Sequence, residues 1–167
     1  MLDLTPKTLT RFSSKGILVD ANLLYLLILG IYDRTQIPTN QRTSQYVEED
    51  FDLLVTFLDR FRNIITVPNV LTEVSNLSTK FDITRRKLFL EFFRNKITLL
   101  EERYVTSKNA SKDDAFSRLG ITDTAITVVA SQKNLILTDD LNLYLHLMNK
   151  GYYAINFNHI RAQGWKQ

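Results

Sequence analysis

The stretch Lys15-Gly-Ile-Leu-Val-Asp20-Ala-Asn22-Leu-Leu-Tyr-Leu-Leu-Ile-Leu-Gly30 leaves this chain few folds to choose from. Ile17, Leu18 and Val19 form a short apolar run behind Gly16, which predicts a strand buried on both faces. Leu23 to Leu29 continue apolar on every side until Gly30, which stands where a helix C-cap would stop them. Between strand and helix sit Asp20 and Asn22. A carboxylate is almost never fully buried unless paired. An Asp at the carboxyl end of a buried strand is therefore either the N-cap of the helix or a ligand at the sheet edge. For Asp20 alone the cap is the commoner outcome, because Asp is a strong cap residue. The other acids decide between the two.

Short apolar runs recur along the chain at Ile64–Val67, Ile97–Leu100, Leu135–Leu137 and Tyr153–Phe157, each predicted as a strand. Helical patterns separate them. Ser44 is placed to cap a helix carrying Val47, Phe51, Leu54, Val55, Leu58 and Phe61, and Pro68 fits the first turn of one carrying Val70, Leu71, Val74 and Leu77. Asp82 caps a helix whose Leu88, Phe89, Phe92 and Phe93 face inward. Residues 107–119 read as helical and end at Gly120, after which Thr122 or Asp123 starts a helix with Ile126, Val129 and Ala130. A last helix over Leu141–Met148 ends before Gly151. Residues 1–15 read as a lead-in, 16–167 as one domain, and Ile31–Thr43 as a long exposed loop. Strands alternating with helices predict an α/β fold: a central parallel sheet of about five strands, helices on both faces, the first strand in the middle.

The 167 residues suit one domain with a sizeable core. Without cysteine there is no disulfide framework, thiolate metal site or cysteine nucleophile, which fits a reducing cytoplasm. The longest uncharged apolar run, Leu23 to Tyr32, is about half of what spans a bilayer, so a soluble protein without a membrane partner is expected. The net charge of +3 is mild, but Arg85, Arg86, Lys87, Arg94 and Lys96 crowd one region with Glu91 as the only acid among them. A solvated helix face is the commoner outcome for such a run, and a grip on an anionic polymer is the alternative.

In open parallel sheets, ligands bind beyond the carboxyl ends of the strands. Asp20 ends the first strand, and Asp139 and Asp140 end the fourth. Glu73 falls at the edge of the apolar stripe of its helix, and Asp123 faces inward from the first turn of another. Each has a bland role when taken alone, as a cap, a helix-dipole partner or a solvated side chain. Together, up to five carboxylates map to one sheet edge. Two carboxylates 4 Å apart repel by about 4 kcal/mol at an effective dielectric near 20. Such a cluster needs a cation or takes up protons. Oxygen-only ligands select a hard ion such as Mg²⁺ or Mn²⁺, which suits phosphodiester hydrolysis. A receiver-type signalling domain also clusters acids in this way, but it wants an acidic pair after its first strand and a Lys after its fifth. Here a single Asp20 stands at the first position, and Asn158 and His159 follow the fifth.

The strand Ile-Leu-Val-Asp20-Ala-Asn22, the helix Val-Pro-Asn-Val-Leu-Thr-Glu73, the segment Leu119-Gly-Ile-Thr-Asp123-Thr-Ala-Ile and the run Leu-Ile-Leu-Thr138-Asp139-Asp140 resemble, in order and spacing, the PIN domain family of metal-dependent ribonucleases. The resemblance covers about residues 15 to 158. It implies a three-layer α/β/α sandwich that cleaves single-stranded RNA with Mg²⁺ or Mn²⁺ held by Asp20, Glu73, Asp123 and Asp140. Asn22 and Thr138 match residues that support the acids by hydrogen bonds. The family's Thr-x-Asp pattern selects Asp140, and the doubled acid leaves Asp139 as the other choice.

If the anionic polymer is RNA, Arg85, Arg86 and Lys87 of the basic cluster are the expected RNA-binding residues. Small bacterial members of the family are often toxins paired with a protein antitoxin. The rival reading is a PIN-like module that binds RNA or protein without cutting. A homodimer is also expected from Ile31, Tyr32 and Ile37 in the exposed loop, to be read by light scattering as a mass above 19.4 kDa.

Overall fold

Burial decides the place of the first strand. The computed structural model describes residues 6–164, and in it every side chain of β1 (Ile17–Val19) is fully buried. It lies at the centre of a five-stranded sheet ordered β3-β2-β1-β4-β5, formed with β2 (Ile64–Thr66), β3 (Glu101–Glu102), β4 (Leu135–Thr138) and β5 (Ala154–Asn156). All pairings are parallel, with Ile17 opposite Ile64 on one side and Leu135 on the other. Helices cover both faces, giving the expected three-layer α/β/α sandwich. They are α1 (Pro6–Ser13), α2 (Ala21–Asp33), α3 (Glu48–Leu58), α4 (Pro68–Leu77), α5 (Ile83–Ile97), α6 (Ser107–Ala110), α7 (Phe116–Ser131), α8 (Leu141–Asn149) and α9 (Phe157–Gln163). Among the described residues no helix is long and apolar enough to cross a membrane.

Several local expectations are corrected by packing. Gly30 does not end α2, which runs on to Asp33. A Cβ on Gly30 would sit 2.3 Å from the ring of Phe51, so the glycine is there to let α3 press against α2. Residues 31–43 are no exposed loop. Ile37 is fully buried, the Thr43 hydroxyl donates to the Ile37 carbonyl at 2.7 Å, and the Asn40 amide donates to the Tyr25 hydroxyl at 3.0 Å. Of the three residues expected to favour a homodimer, Ile31 alone is exposed.

The next helix starts at Glu48 rather than at Ser44. Tyr46 is drawn into the core, and the Asp50 carboxylate accepts the Val47 N–H at 3.0 Å, fixing the helix start there. The run Ile97–Leu100 is not a strand. Ile97 lies four residues past buried Phe93, continues the apolar stripe of α5, and leaves only Glu101–Glu102 to pair with Ile65 and Thr66.

The described part of the lead-in belongs to the core. Leu9 and Phe12 of α1 are buried, and Phe12 lies 4.9 Å from the ring of Tyr153. Residues 1–5 of that lead-in and residues 165–167 of the domain lie outside the described residues. Gly120, at φ +80°, breaks α7 after one turn, so its second part starts at Ile121 with Asp123 in the first turn. That turn brings Asp123 to the sheet edge.

Candidate metal centre

The order β3-β2-β1-β4-β5 reverses direction between β1 and β4, the point at which open parallel sheets bind their ligands. Asp20 follows one of these strands, and Asp139 and Asp140 follow the other. Of the two roles weighed for Asp20, the cap is the one seen. Its Oδ1 accepts the Leu23 N–H at 2.9 Å as the cap of α2, while its Oδ2 accepts the Asp139 N–H at 2.9 Å from the end of β4. Asp20 is 5% exposed. Burial, and then the charge of Asp139, hold its carboxyl well above the usual carboxylate range, against hydrogen bonds from Thr138 and the Leu23 and Asp139 amides.

The doubled acid divides its labour. Asp140 caps α8, its Oδ1 accepting the Asn142 N–H at 2.6 Å and the Leu143 N–H at 3.0 Å. Asp139 turns toward Asp20 and takes the Asn22 amide on Oδ1 at 3.2 Å. Its Oδ2 receives the Gln45 amide at 3.2 Å and the Tyr46 hydroxyl at 2.5 Å. Thr138 supports both neighbours, accepting the Asp140 N–H at 3.0 Å and hydrogen-bonding Asp20. Asn22 and Thr138 thus both hydrogen-bond acids at these strand ends.

Asp123 joins this edge from α7. Burial first, then the charges of Asp140, Glu73 and Asp139, push its carboxyl up to about 7. Glu73 is exposed on α4 and meets the group through this field. All five acids are therefore linked: Asp20 with Asp139, and Asp123 with Asp139, Asp140 and Glu73. They do not form a tight cage. Among the described residues, the one set of three such side chains with ligand atoms within 4.8 Å of one another is Asp113, Asp114 and His146. That set has its own cation, for the Lys150 ammonium lies 3.2 Å from Asp113 and 2.9 Å from Asp114.

Among the described residues no Lys, Arg or His forms an ion pair with any of the five edge acids. Their donors are all oxygen, the kind that a hard ion such as Mg²⁺ or Mn²⁺ takes.

A supporting network had no signal in the sequence beyond an aromatic residue in a polar loop. Arg161 of α9 grips Asp50 with Nε at 2.8 Å and an NH2 at 2.7 Å, donates to the Gln45 carbonyl at 3.1 Å, and stacks 4.9 Å from the ring of Tyr46. Asn158 donates to the Asp139 carbonyl at 3.0 Å. Together these ties hold Gln45 and Tyr46 against Asp139. Tyr46→Phe keeps the ring and removes the hydroxyl. Partners that orient a ligand typically cost 10–100-fold in metal affinity when lost, so Mn²⁺ binding should weaken by about tenfold with little change in melting temperature. Isothermal titration of both proteins checks this, and equal Mn²⁺ affinity would reduce Tyr46 to a packing role.

The expected RNA-binding residues differ in their surroundings. Arg85 faces Asp82 at 3.5 Å, whereas Arg86 and Lys87 line a cavity on α5. None of the three pairs with the edge acids. His146 lies 3.1 Å from Asp113, and His159 packs edge-on to Tyr144, both away from the five acids. Comparison of the sequence with protein-family models gives no match, and comparison with curated proteins gives none either.

Proposed function

We propose that this chain is a metal-dependent endoribonuclease that hydrolyses phosphodiester bonds of single-stranded RNA. One observation carries the reading: five acids lie around the reversal point of a parallel sheet, where their charges act on Asp20 and Asp123, with no cationic side chain in ion-pair contact with them among the described residues. The nearby Arg161 is committed to Asp50, while the cluster at Asp113 and Asp114 keeps Lys150. A divalent ion supplies the missing charge, acidifies water for attack and stabilises the leaving oxygen.

In this scheme Asp20, Glu73, Asp123, Asp140 and Asp139 hold one or two Mg²⁺ or Mn²⁺ ions. Asn22, Gln45 and Tyr46 fix the Asp139 carboxylate, and Thr138 steadies Asp20. Burial and its neighbours raise the Asp123 carboxyl to about 7 without an ion, so Asp123 would give up its proton on binding one. The test is cleavage of a labelled single-stranded RNA in Mg²⁺ or Mn²⁺ that stops in EDTA. RNA bound in Mn²⁺ and left intact would instead assign the chain to the non-cutting class.

A further inference from the structure

Helix α5 carries a cavity of about 570 Å³ whose wall includes Phe81, Arg86, Lys87, Leu90, Glu91 and Arg94. The last five fall at i, i+1, i+4, i+5 and i+8, so they share one side of the helix. Among the described residues, no carboxylate lies within ion-pair distance of Arg86, Lys87 or Arg94, not even Glu91 in the same wall. Their neighbours on the helix are committed elsewhere: Arg85 to Asp82, and Lys96 over the Phe92 ring at 5.0 Å. Arg86 goes further, because among the described residues its buried Nε has no hydrogen-bond acceptor. Leaving a buried donor unmet costs about 1–3 kcal/mol, and more for a charged one. The acceptor that fits a guanidinium fork beside two more cations is a phosphate.

The cavity does not stand alone. A second groove of about 360 Å³ shares Leu90 and Arg94 with it and continues to Thr72, Ser75 and Asn76 of α4. Glu73 follows Thr72 on that helix, and its charge reaches Asp123. The two therefore adjoin at Leu90 and Arg94, a trough with three unpaired cations at one end and the helix that carries one of the edge acids at the other. Its walls are apolar as well as cationic. Phe81 packs against Phe89 at 5.5 Å and still lines the cavity, and Ile83 beside it is 89% exposed.

We propose that this trough binds the backbone of single-stranded RNA, with Arg86, Lys87 and Arg94 gripping phosphates and the Phe81–Ile83 wall receiving a base. The choice of RNA rests on the nuclease reading; the demand for an anion does not. A single strand fits because only an unstacked base can lie against an aromatic wall while its backbone follows a cationic groove.

The test is fluorescence anisotropy of a short labelled single-stranded RNA with the full chain in EDTA, where binding is read without cleavage. The double variant Arg86→Gln/Arg94→Gln removes two phosphate contacts, which should weaken binding by about tenfold and flatten the slope of log affinity against log salt by about 1.4. Arg85→Gln should leave both unchanged, since Arg85 is already paired. If the double variant melts lower than the wild type, exposed Arg94→Gln alone carries the test, with about half the change in slope. An unchanged slope, or an equal effect of Arg85→Gln, overturns the proposal. So does poly-glutamate that displaces the RNA as well as unlabelled RNA does, which would assign the trough to an acidic protein. The two readings fail separately. RNA held by these residues but never cut in Mn²⁺ leaves the trough and removes the nuclease. RNA cut in Mn²⁺ with a wild-type salt slope in the double variant does the reverse.

Discussion

Asp123→Asn is expected to abolish Mn²⁺-dependent RNA cleavage and to raise the melting temperature in EDTA at pH 8. The loss should exceed about a hundredfold, because an ion ligand disappears. The gain in stability has a separate cause. Burial and three neighbouring charges hold the Asp123 carboxyl near 7, so at pH 8 the fold carries an ionised group that it disfavours. An amide of the same shape removes that charge, which is worth about 2 kcal/mol, or about 4–8 °C for a chain of this length. Asp20→Asn should behave differently. The two Asp20 oxygens each accept a backbone N–H, from Leu23 and from Asp139, and an amide offers one oxygen where two are needed. Turning its NH₂ against a buried N–H costs about 1–3 kcal/mol, so this variant should lose cleavage and melt lower. Thermal melts in EDTA beside single-turnover cleavage separate the two. An Asp123→Asn protein that cuts at the wild-type rate would remove the metal-centre assignment.

The second large effect is the dependence of stability on pH and its reversal by metal. For Asp123 the carboxyl sits near 7 in the folded chain and near 3.9 in the unfolded one, so between these values the folded state binds more protons. Its contribution to stability is therefore greatest at low pH, falls as pH rises from about 4 to about 7, and stays low above that. The buried Asp20 carboxyl is shifted in the same direction and adds to the trend. A divalent ion binds the ionised acids and releases their protons, so it should stabilise most where the protein alone is weakest. At a hundredfold excess over its dissociation constant, an ion contributes about 2.7 kcal/mol, or about 5–11 °C in melting temperature. Melts at pH 5.5 and pH 8, with Mn²⁺ and with EDTA, should show the gain at pH 8 and little of it at pH 5.5. Asp123→Asn serves as the reference that cancels the other carboxylates. Equal gains at both pH values would mean that Mn²⁺ binds somewhere other than the edge acids.

What could be read from the sequence follows from the range of each interaction. The buried strand at Ile17–Val19, the parallel alternation and the caps at Asp20 and Asp82 are short-range consequences of residue type, and they stand where the pattern placed them. The exceptions share one cause: a distant partner outweighed a local signal. Gly30 looks like a helix stop until Phe51 is laid on it, and Ile37 looks exposed until Thr43 and Asn40 fold its segment inward. Tandem Asp139 and Asp140 could not be sorted until the α8 amides claimed one of them. The arrangement of acids at one edge followed from strand ends and helix periodicity. The grip of Tyr46, Gln45 and Arg161 on that edge did not, because it joins residues 116 positions apart that share no pattern. The basic run on α5 was legible as charge alone; only packing showed which of its members lack a partner.

The central strand also sets an order of events during synthesis. Ile17 pairs with Ile64 on one side and with Leu135 on the other, so β1 keeps an open edge until the last third of the chain has left the ribosome. A nascent chain that has emerged as far as β3 presents Asp20 and Glu73 but lacks Asp123, Asp139 and Asp140. A centre that needs acids from both sides of the strand reversal cannot assemble in that interval. The five acids can therefore first come together only after residue 140 has emerged, late in the synthesis of the chain.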